Sequence, residues 1–319
     1  MNICILGWYG TETMGDRAIL DGIIKIFERK EQGNTYYLGS LVPFFSERTI
    51  YYDYDCYTDG KRINIEIFCE KNIQDLKRYI LKSDYVIMGG GPIMDISEIL
   101  IIRRAFSIAK KNKIKTGLIG CGYGPFHSAF FKSISEEIIK LSDIVILRDK
   151  LSSQRAQVVK NSSEIVTLSD PAVISALAYK ESNKRIESDY VVLNFRDTRF
   201  NVYKDNILDV MQDLYRLTSQ IAKEYSKVIM VPMHTFFWGG DDRSYFAEMF
   251  LGRNIKNVCI QYEPQSLYEL YATFANAKAC VGMRYHSIIL QTILNGNNLI
   301  LDYTESKIGK ISGFFGRGR

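Results

Sequence analysis

The chain has little that ties it to metals, membranes or nucleic acids. Its 319 residues include six cysteines (Cys4, Cys56, Cys69, Cys121, Cys259, Cys280), none in a CxxC pair or a Cys/His ligand spacing, which argues against a zinc site and for buried, reduced thiols. The opening "MNICILGWYG" has no basic segment leading into a long apolar run, so it does not read as a signal peptide. No stretch approaches 18 uninterrupted apolar residues, so no membrane span is expected. A cytoplasmic protein follows, with any membrane association peripheral. The net charge of +5 is compatible with an anionic substrate, but the basic blocks of a nucleic-acid binder are missing. So is a GxGxxG loop with its downstream acid, which disfavours a nicotinamide or flavin enzyme. No internal repeat or low-complexity segment appears.

What is there is a chain able to bury substantial cores, with 46% hydrophobic and 24% charged residues. In the first half, β-branched runs at 2–6, 63–68, 84–88, 115–120, 144–147 and 164–168 alternate with helical patterns at 15–30, 96–112 and 129–142. After a polar, aperiodic stretch at 177–189 the pattern restarts: strands at 190–195, 228–233, 258–260, 279–283 and 299–303, helices near 204–225, 242–251, 265–276 and 287–294. Repeated β-α alternation implies parallel sheets covered on both faces. The fold class expected is α/β, two Rossmann-like doubly wound domains at 1–176 and 190–319 facing a cleft, with 177–189 as linker. Ligands of such sheets sit beyond the carboxyl ends of the strands.

Several loops stand at those ends. "GWYGTETMGD" (7–16) carries Gly10 and Asp16 into a helix start, where Asp16 either complements the dipole or faces a ligand. "GGGPIMD" (89–95), with Gly90, Gly91 and Asp95, spends backbone entropy on three glycines, which points to close approach or positive φ. "GCGYGP" (120–125) repeats the device one strand later. In "LRDKLS" (147–152), Arg148 is either an anion-holding fork or half of a surface pair, and Asp170 of "LSDPA" (168–172) suits a turn cap. "VPMHTFFWGGDDR" (231–243) joins His234, Trp238, Asp241 and Asp242, a set that seats a sugar ring or else plugs the domain end and caps a helix.

The sharpest signal is "ACVGMRYHSII" (279–289). A buried strand runs into an apolar helix, and at the junction stand Arg284 and one of only three histidines, His286. Arg284 would anchor an anion, and His286 would exchange a proton near neutral pH. "DYTESKIGK" (302–310) adds Lys307 and Lys310 after the next strand. Together these residues point to a small anionic substrate and proton transfer.

In order, "GWYGTETMGDRAIL", "GGGPIMD", "GCGYGP", "LRDKLS", "SDPA", "GMRYHSII" and "DYTESKIGKISGF" resemble the polysaccharide pyruvyl transferase family, over nearly the whole chain. The resemblance implies a GT-B-like architecture and transfer of pyruvate from phosphoenolpyruvate to a sugar of a surface glycan, as a ketal. It implies that Arg284 and His286 hold phosphoenolpyruvate in the C-terminal domain, with Lys307 the basic residue after the last shared strand. Arg148 and Lys310 are further candidates for the donor's charge, and His286 is the candidate general acid/base. Gly10, Asp16, Gly90, Gly91, Asp95, His234, Trp238 and Asp241 would face the acceptor. No metal or other cofactor is implied, phosphoenolpyruvate being a substrate. The partners implied are that donor and a glycan acceptor, lipid-linked or free, and no nucleic acid. The sequence departs from the family pattern at Thr13, where asparagine is common, and at its end, "GFFGRGR", where a longer helical region is expected. Two other classes compete: a GT-B glycosyltransferase using a nucleotide sugar, with Glu305 as ribose partner, and a non-catalytic glycan-assembly protein of the same fold.

Overall fold

Apolar strands flanked by amphipathic helices leave the chain one economical arrangement, parallel strands sandwiched between helices, and a computed structural model shows it twice. The structure describes residues 1–58, 63–200, 210–236 and 239–301. The chain divides into two compact units. Among the described residues, unit one takes in 1–10 and 16–175, and unit two takes in 11–15 and 176–301.

Unit one is built from β1 (Asn2–Leu6), α1 (Met14–Lys30, whose first two residues group with unit two), β2 (Thr35–Ser40), α2 (Pro43–Thr58), β3 (Asn64–Cys69), α3 (Ile73–Leu81), β4 (Tyr85–Gly89), β5 (Pro92–Ile93), α4 (Ile99–Lys111), β6 (Lys115–Tyr123), α5 (Ala129–Leu141), β7 (Ile144–Leu147), α6 (Lys150–Ala156), β8 (Ile165–Thr167) and the start of α7 (Ala172–Ser182). Its strands run parallel in the order β3-β2-β1-β4-β6-β7-β8, with β5 paired to β6. Alternation sets the two faces. Cys4 and Leu6 of β1, Val86 and Met88 of β4, and Val145 and Leu147 of β7 join the core under α3, α4 and α5, whereas Ile3 and Ile5 are buried outside that cluster. Each fully buried aliphatic side chain contributes about 1.5–3 kcal/mol relative to exposure.

Unit two contains β9 (Tyr190–Asn194), α8 (Met211–Glu224), β10 (Lys227–Met230), α9 (Asp242–Met249), β11 (Val258–Ile260), α10 (Leu267–Asn276), β12 (Ala279–Gly282), α11 (Tyr285–Leu294) and β13 (Asn298–Ile300). The parallel order is β11-β10-β9-β12-β13. Val191, Leu193, Val228, Met230 and Val281 face one core with Tyr245 and Phe246 of α9. Counted within each unit, both sheets follow the Rossmann order, 3-2-1-4-5, and reverse direction beside their first strand.

The sequence missed β2, β5, α2, α3, α6 and α7. It placed the other strands and the helices α1, α4, α5 and α8 to α11; the parts of its expected helix at 204–209 and strand at 302–303 lie outside the described residues. The stretch read as an aperiodic linker from residue 177 is helical through Ser182, the end of α7. All six cysteines are free, as expected, and four are buried, although Cys259 is exposed. Burial pushes the Cys121 and Cys280 thiols up to about 12, so neither is a nucleophile at neutral pH. Among the described residues, no helix is long and apolar enough to cross a membrane, and no three His, Cys, Asp or Glu side chains are grouped to hold a metal.

Candidate active site

In unit two the strand order reverses between β9 and β12, where a doubly wound sheet opens its carboxyl edge to ligands. Asn194 ends β9 there. Its amide donates to the Val231 carbonyl at 2.9 Å, and its Oδ1 accepts from the Arg284 backbone N–H at 3.2 Å. One buried side chain therefore ties together the ends of β9, β10 and β12, and Arg284 leaves β12 in an extended conformation (φ −79, ψ 143) directly at the switch point.

The Arg284 guanidinium is not idle. Nε donates to both carboxylate oxygens of Asp242, at 3.0 and 2.8 Å, and Nη2 bonds to Oδ1. Asp242 is fully buried, and its Oδ2 also accepts the backbone N–H groups of Met233 (2.9 Å) and His234 (3.1 Å). A buried carboxylate is tolerated when it is paired and hydrogen-bonded in this way. Nη1 takes no part in the pair. Arg284 is thus a fork held from behind by one carboxylate, with a further donor group for an anion.

His286 lies in the first turn of α11, where no side chain caps the helix. Backbone N–H groups at such a helix start favour an anion. The imidazole is packed against Gly15: a methyl group there would overlap the ring. Gly15 belongs to the short segment 11–15, which groups with unit two. The same segment is pinned by the Met14 N–H to the Met233 carbonyl (2.9 Å), an isolated antiparallel bridge between Thr13 and His234, and a hydrogen bond between Thr13 Oγ1 and His234 Nδ1 (2.9 Å). Thr13, the departure from the family pattern, therefore has a defined partner. His234, Asp242 and Arg284 form one connected set, and Gly15 sets the position of His286.

The remaining candidates have other surroundings. Asp241 caps α9, accepting the Arg243 N–H at 2.9 Å and pairing with the Arg243 guanidinium at 2.7 Å. Burial pushes its carboxyl up, but the bonds from Arg243 outweigh this and hold it below the usual range. Arg148, in unit one, is buried and bonded to the fully buried Asp170 at 3.1 Å, a buried pair in place of the surface pair weighed from the sequence. Gly10, Gly90 and Gly91 all have positive φ, and Gly91 packs on Trp8 so closely that no side chain fits. Asp95 accepts the His127 and Ser128 N–H groups at 2.6 and 3.1 Å, at the start of α5. Asp16 is half-buried in the first turn of α1. Trp238, Lys307, Lys310 and Glu305 lie outside the described residues. Sequence reasoning missed the roles of Asn194 and Asp242. The acidic pair at 241–242 was visible, but its second member reads as a helix cap until the fold brings it to Arg284.

A model of the polysaccharide pyruvyl transferase family matches residues 14–305. The chain belongs to this family. Membership makes it a transferase of a family named for pyruvyl transfer to polysaccharide. No curated protein matches the sequence. Among solved structures, UDP-GlcNAc 2-epimerase from Methanocaldococcus jannaschii is similar at 14% identity and a TM-score of 0.58, over 98% of this chain and 91% of that one. A Listeria monocytogenes protein assigned as a UDP-N-acetylglucosamine 2-epimerase has a TM-score of 0.63 at 12% identity, over 98% and 82%. An α-glucosyltransferase bound to UDP and DNA has a TM-score of 0.51 at 10% identity, over 95% and 79%. At these identities the likeness is one of fold, and it is the GT-B-like fold expected for the family.

Proposed function

We propose that the protein transfers pyruvate from phosphoenolpyruvate to two hydroxyls of a glycan sugar, forming a cyclic ketal and releasing phosphate. The observation that carries this reading, within the family, is the placement of Arg284 and His286 at the switch point of the second sheet, one held by a buried carboxylate and the other by close packing on Gly15.

In this reading Arg284, through the donor group outside its Asp242 pair, and the N-terminal amides of α11 hold the charges of phosphoenolpyruvate. His286 delivers a proton to the methylene carbon, which becomes a methyl group as positive charge develops on the adjacent carbon. A sugar hydroxyl attacks that carbon and gives up its proton to the neutral imidazole. The C–O bond to phosphate then breaks as the second hydroxyl adds, and the second hydroxyl proton departs with phosphate. Two hydroxyl protons are thus released, one replacing that given to the methylene and one leaving with phosphate. Lys307 and Lys310 would add positive charge beside the donor. Arg148, in its pair with Asp170, supports unit one and is assigned no contact with the donor. Among the acceptor candidates, His234 stands nearest in the bonded network to Arg284.

The test is phosphate release from phosphoenolpyruvate with a panel of glycan acceptors, alongside mass spectrometry of the acceptor. Wild-type protein is expected to release phosphate and leave a pyruvate ketal on the glycan. Arg284→Ala and His286→Ala are each expected to lower the rate at least about a hundredfold, the usual range for an acid/base or charge-stabilising group. Full activity in both variants would overturn the assignment. Glycosyl transfer from a nucleotide sugar, with no use of phosphoenolpyruvate, would overturn the reaction.

A further inference from the structure

A second concave site lies wholly within unit one and shares no residue with the site above. It is a cavity of about 240 Å3 between the starts of α3 and α4, beside the carboxyl end of β3. Glu70, Lys71, Arg103 and Arg104 supply its polar groups, and Leu76 and Leu100 are among its apolar walls. On α4, Arg103 and Arg104 stand three and four residues after Leu100, so all three share one side of the helix.

Glu70 is the anomaly. Its backbone N–H is bonded to the Ser40 carbonyl at 3.1 Å, continuing β3 past its last residue. The residue is only 2% exposed, and Oε2 is buried with no hydrogen-bond partner. A side chain at Gly39 would come within 3.0 Å of that oxygen. Folded proteins rarely leave a buried carboxyl unsatisfied, because it forfeits its bonds to water and gains none in exchange. Burial pushes Glu70 up to about 8; Lys71, from its own loop, lowers it and Glu98, at the start of α4, raises it. Buried Cys4 and Tyr9, both raised by burial first, also feel its charge. At neutral pH Glu70 is therefore largely protonated, offering both an O–H donor and a carbonyl acceptor.

Two chemistries are thus combined in one small cavity. A neutral carboxyl in the cavity lining, its Oε2 without a protein partner, suits a ligand hydroxyl, which both gives and accepts a hydrogen bond. The cations suit a phosphate. Arg103 also pairs with Glu137 at 3.2 Å, and both Arg104 and Lys71 are exposed to solvent. Apolar walls suit the C–H face of a ring, and the volume is below that of sites for larger ligands. We propose that this pocket binds a phosphorylated sugar, with the Glu70 carboxyl on a ring hydroxyl and Lys71, Arg103 and Arg104 around the phosphate. The inference does not rest on pyruvyl transfer. The same chemistry is offered by a free sugar phosphate and by the phosphate-linked sugar of a glycan precursor.

Calorimetric titration of the full chain with glucose 1-phosphate and N-acetylglucosamine 1-phosphate tests it, with glucose and inorganic phosphate as partial ligands. At least one sugar phosphate is expected to bind, and more tightly than either part. Glu70→Ala and the surface double variant Arg103→Ala/Arg104→Ala are each expected to weaken it roughly tenfold, the loss of one buried or charge-assisted hydrogen bond. Arg284→Ala should leave it unchanged. No binding of either sugar phosphate, binding indifferent to both pocket variants, or binding abolished by Arg284→Ala would each overturn the proposal. The last outcome would place the phosphate in the active site. Competition by a short-chain alkyl diphosphate sugar marks the glycan precursor as the source, and its absence marks the free sugar phosphate. Failure here leaves phosphate release from phosphoenolpyruvate untouched, so the two readings are tested separately.

Discussion

A guanidinium bonded through Nε and Nη2 to a fully buried carboxylate has one orientation, and Asp242 imposes it on Arg284. Asp242→Ala removes that carboxylate and also strands the Met233 and His234 N–H groups. A stability loss of about 3 kcal/mol is expected in urea unfolding, the low end for breaking a buried pair, because Arg284 can reach water. Asp242→Asn keeps the shape and is expected to raise KM for phosphoenolpyruvate more than it lowers kcat, as befits a residue that positions a binding group. Glu70 gives a prediction with a sign. Its folded pKa of about 8 stands above the ordinary value of 4.5, so from about pH 4.5 to 8 the folded state retains a proton that the unfolded state has lost. Stability must fall as pH rises through that window, by at most about 1.4 kcal/mol per pH unit, and level off above it. Glu70→Gln cannot titrate and is expected to gain on wild type steadily from pH 5 to 8 in chemical unfolding; a pH-independent difference would rule out the burial of an unpaired carboxyl. Arg284 and His286 were legible in the sequence because both lie within four residues of the end of β12. Asp242 was not, because its partner is 42 residues away and only the sheet order joins them.

At the scale of elements, local pattern sufficed where burial was continuous. β1, β4, β6, β9 and β12 are apolar runs buried on both faces, and such strands announce themselves. α2 does not, since its aromatics point both ways, with Tyr57 buried and Phe44 and Tyr51 exposed. α3, at nine residues, is held by a cap from Asn72 and by packing rather than by a long period. The start of α1 is the element that matters most to the candidate site, because Gly15 is packed directly on His286. Gly15→Ala favours the helix by propensity, at about 1 kcal/mol, yet its methyl group must displace the imidazole. We expect unchanged helix content by circular dichroism with at least a tenfold loss of kcat, and a shifted His286 resonance by NMR. α10 offers a control far simpler in origin. Ser266 and Glu269 close a capping box, and Ser266→Ala should cost about 1 kcal/mol in thermal unfolding without affecting turnover.

For the whole molecule, the repeated strand order makes a different kind of demand. Each unit presents its own switch point, and only that of unit two carries the Arg284–Asp242 pair and His286. A ligand that binds the folded state stabilises what it touches, by about 2.7 kcal/mol at a hundred times its dissociation constant. If phosphoenolpyruvate is the donor, hydrogen exchange should slow at the β12–α11 junction and around residues 11–15, while the far edge of the first sheet, at β7 and β8, exchanges as before. Melting of unit two should rise by roughly 5–10 °C under the same conditions. The Rossmann order alone cannot make this choice, since the three solved structures named above share the fold at 10–14% identity. Side chains at the switch point decide it, and so the control is Arg284→Ala. Protection by phosphoenolpyruvate that disappears in that variant ties the donor to the pair. Protection given by a nucleotide sugar and not by phosphoenolpyruvate would instead assign the same edge of the sheet to glycosyl transfer.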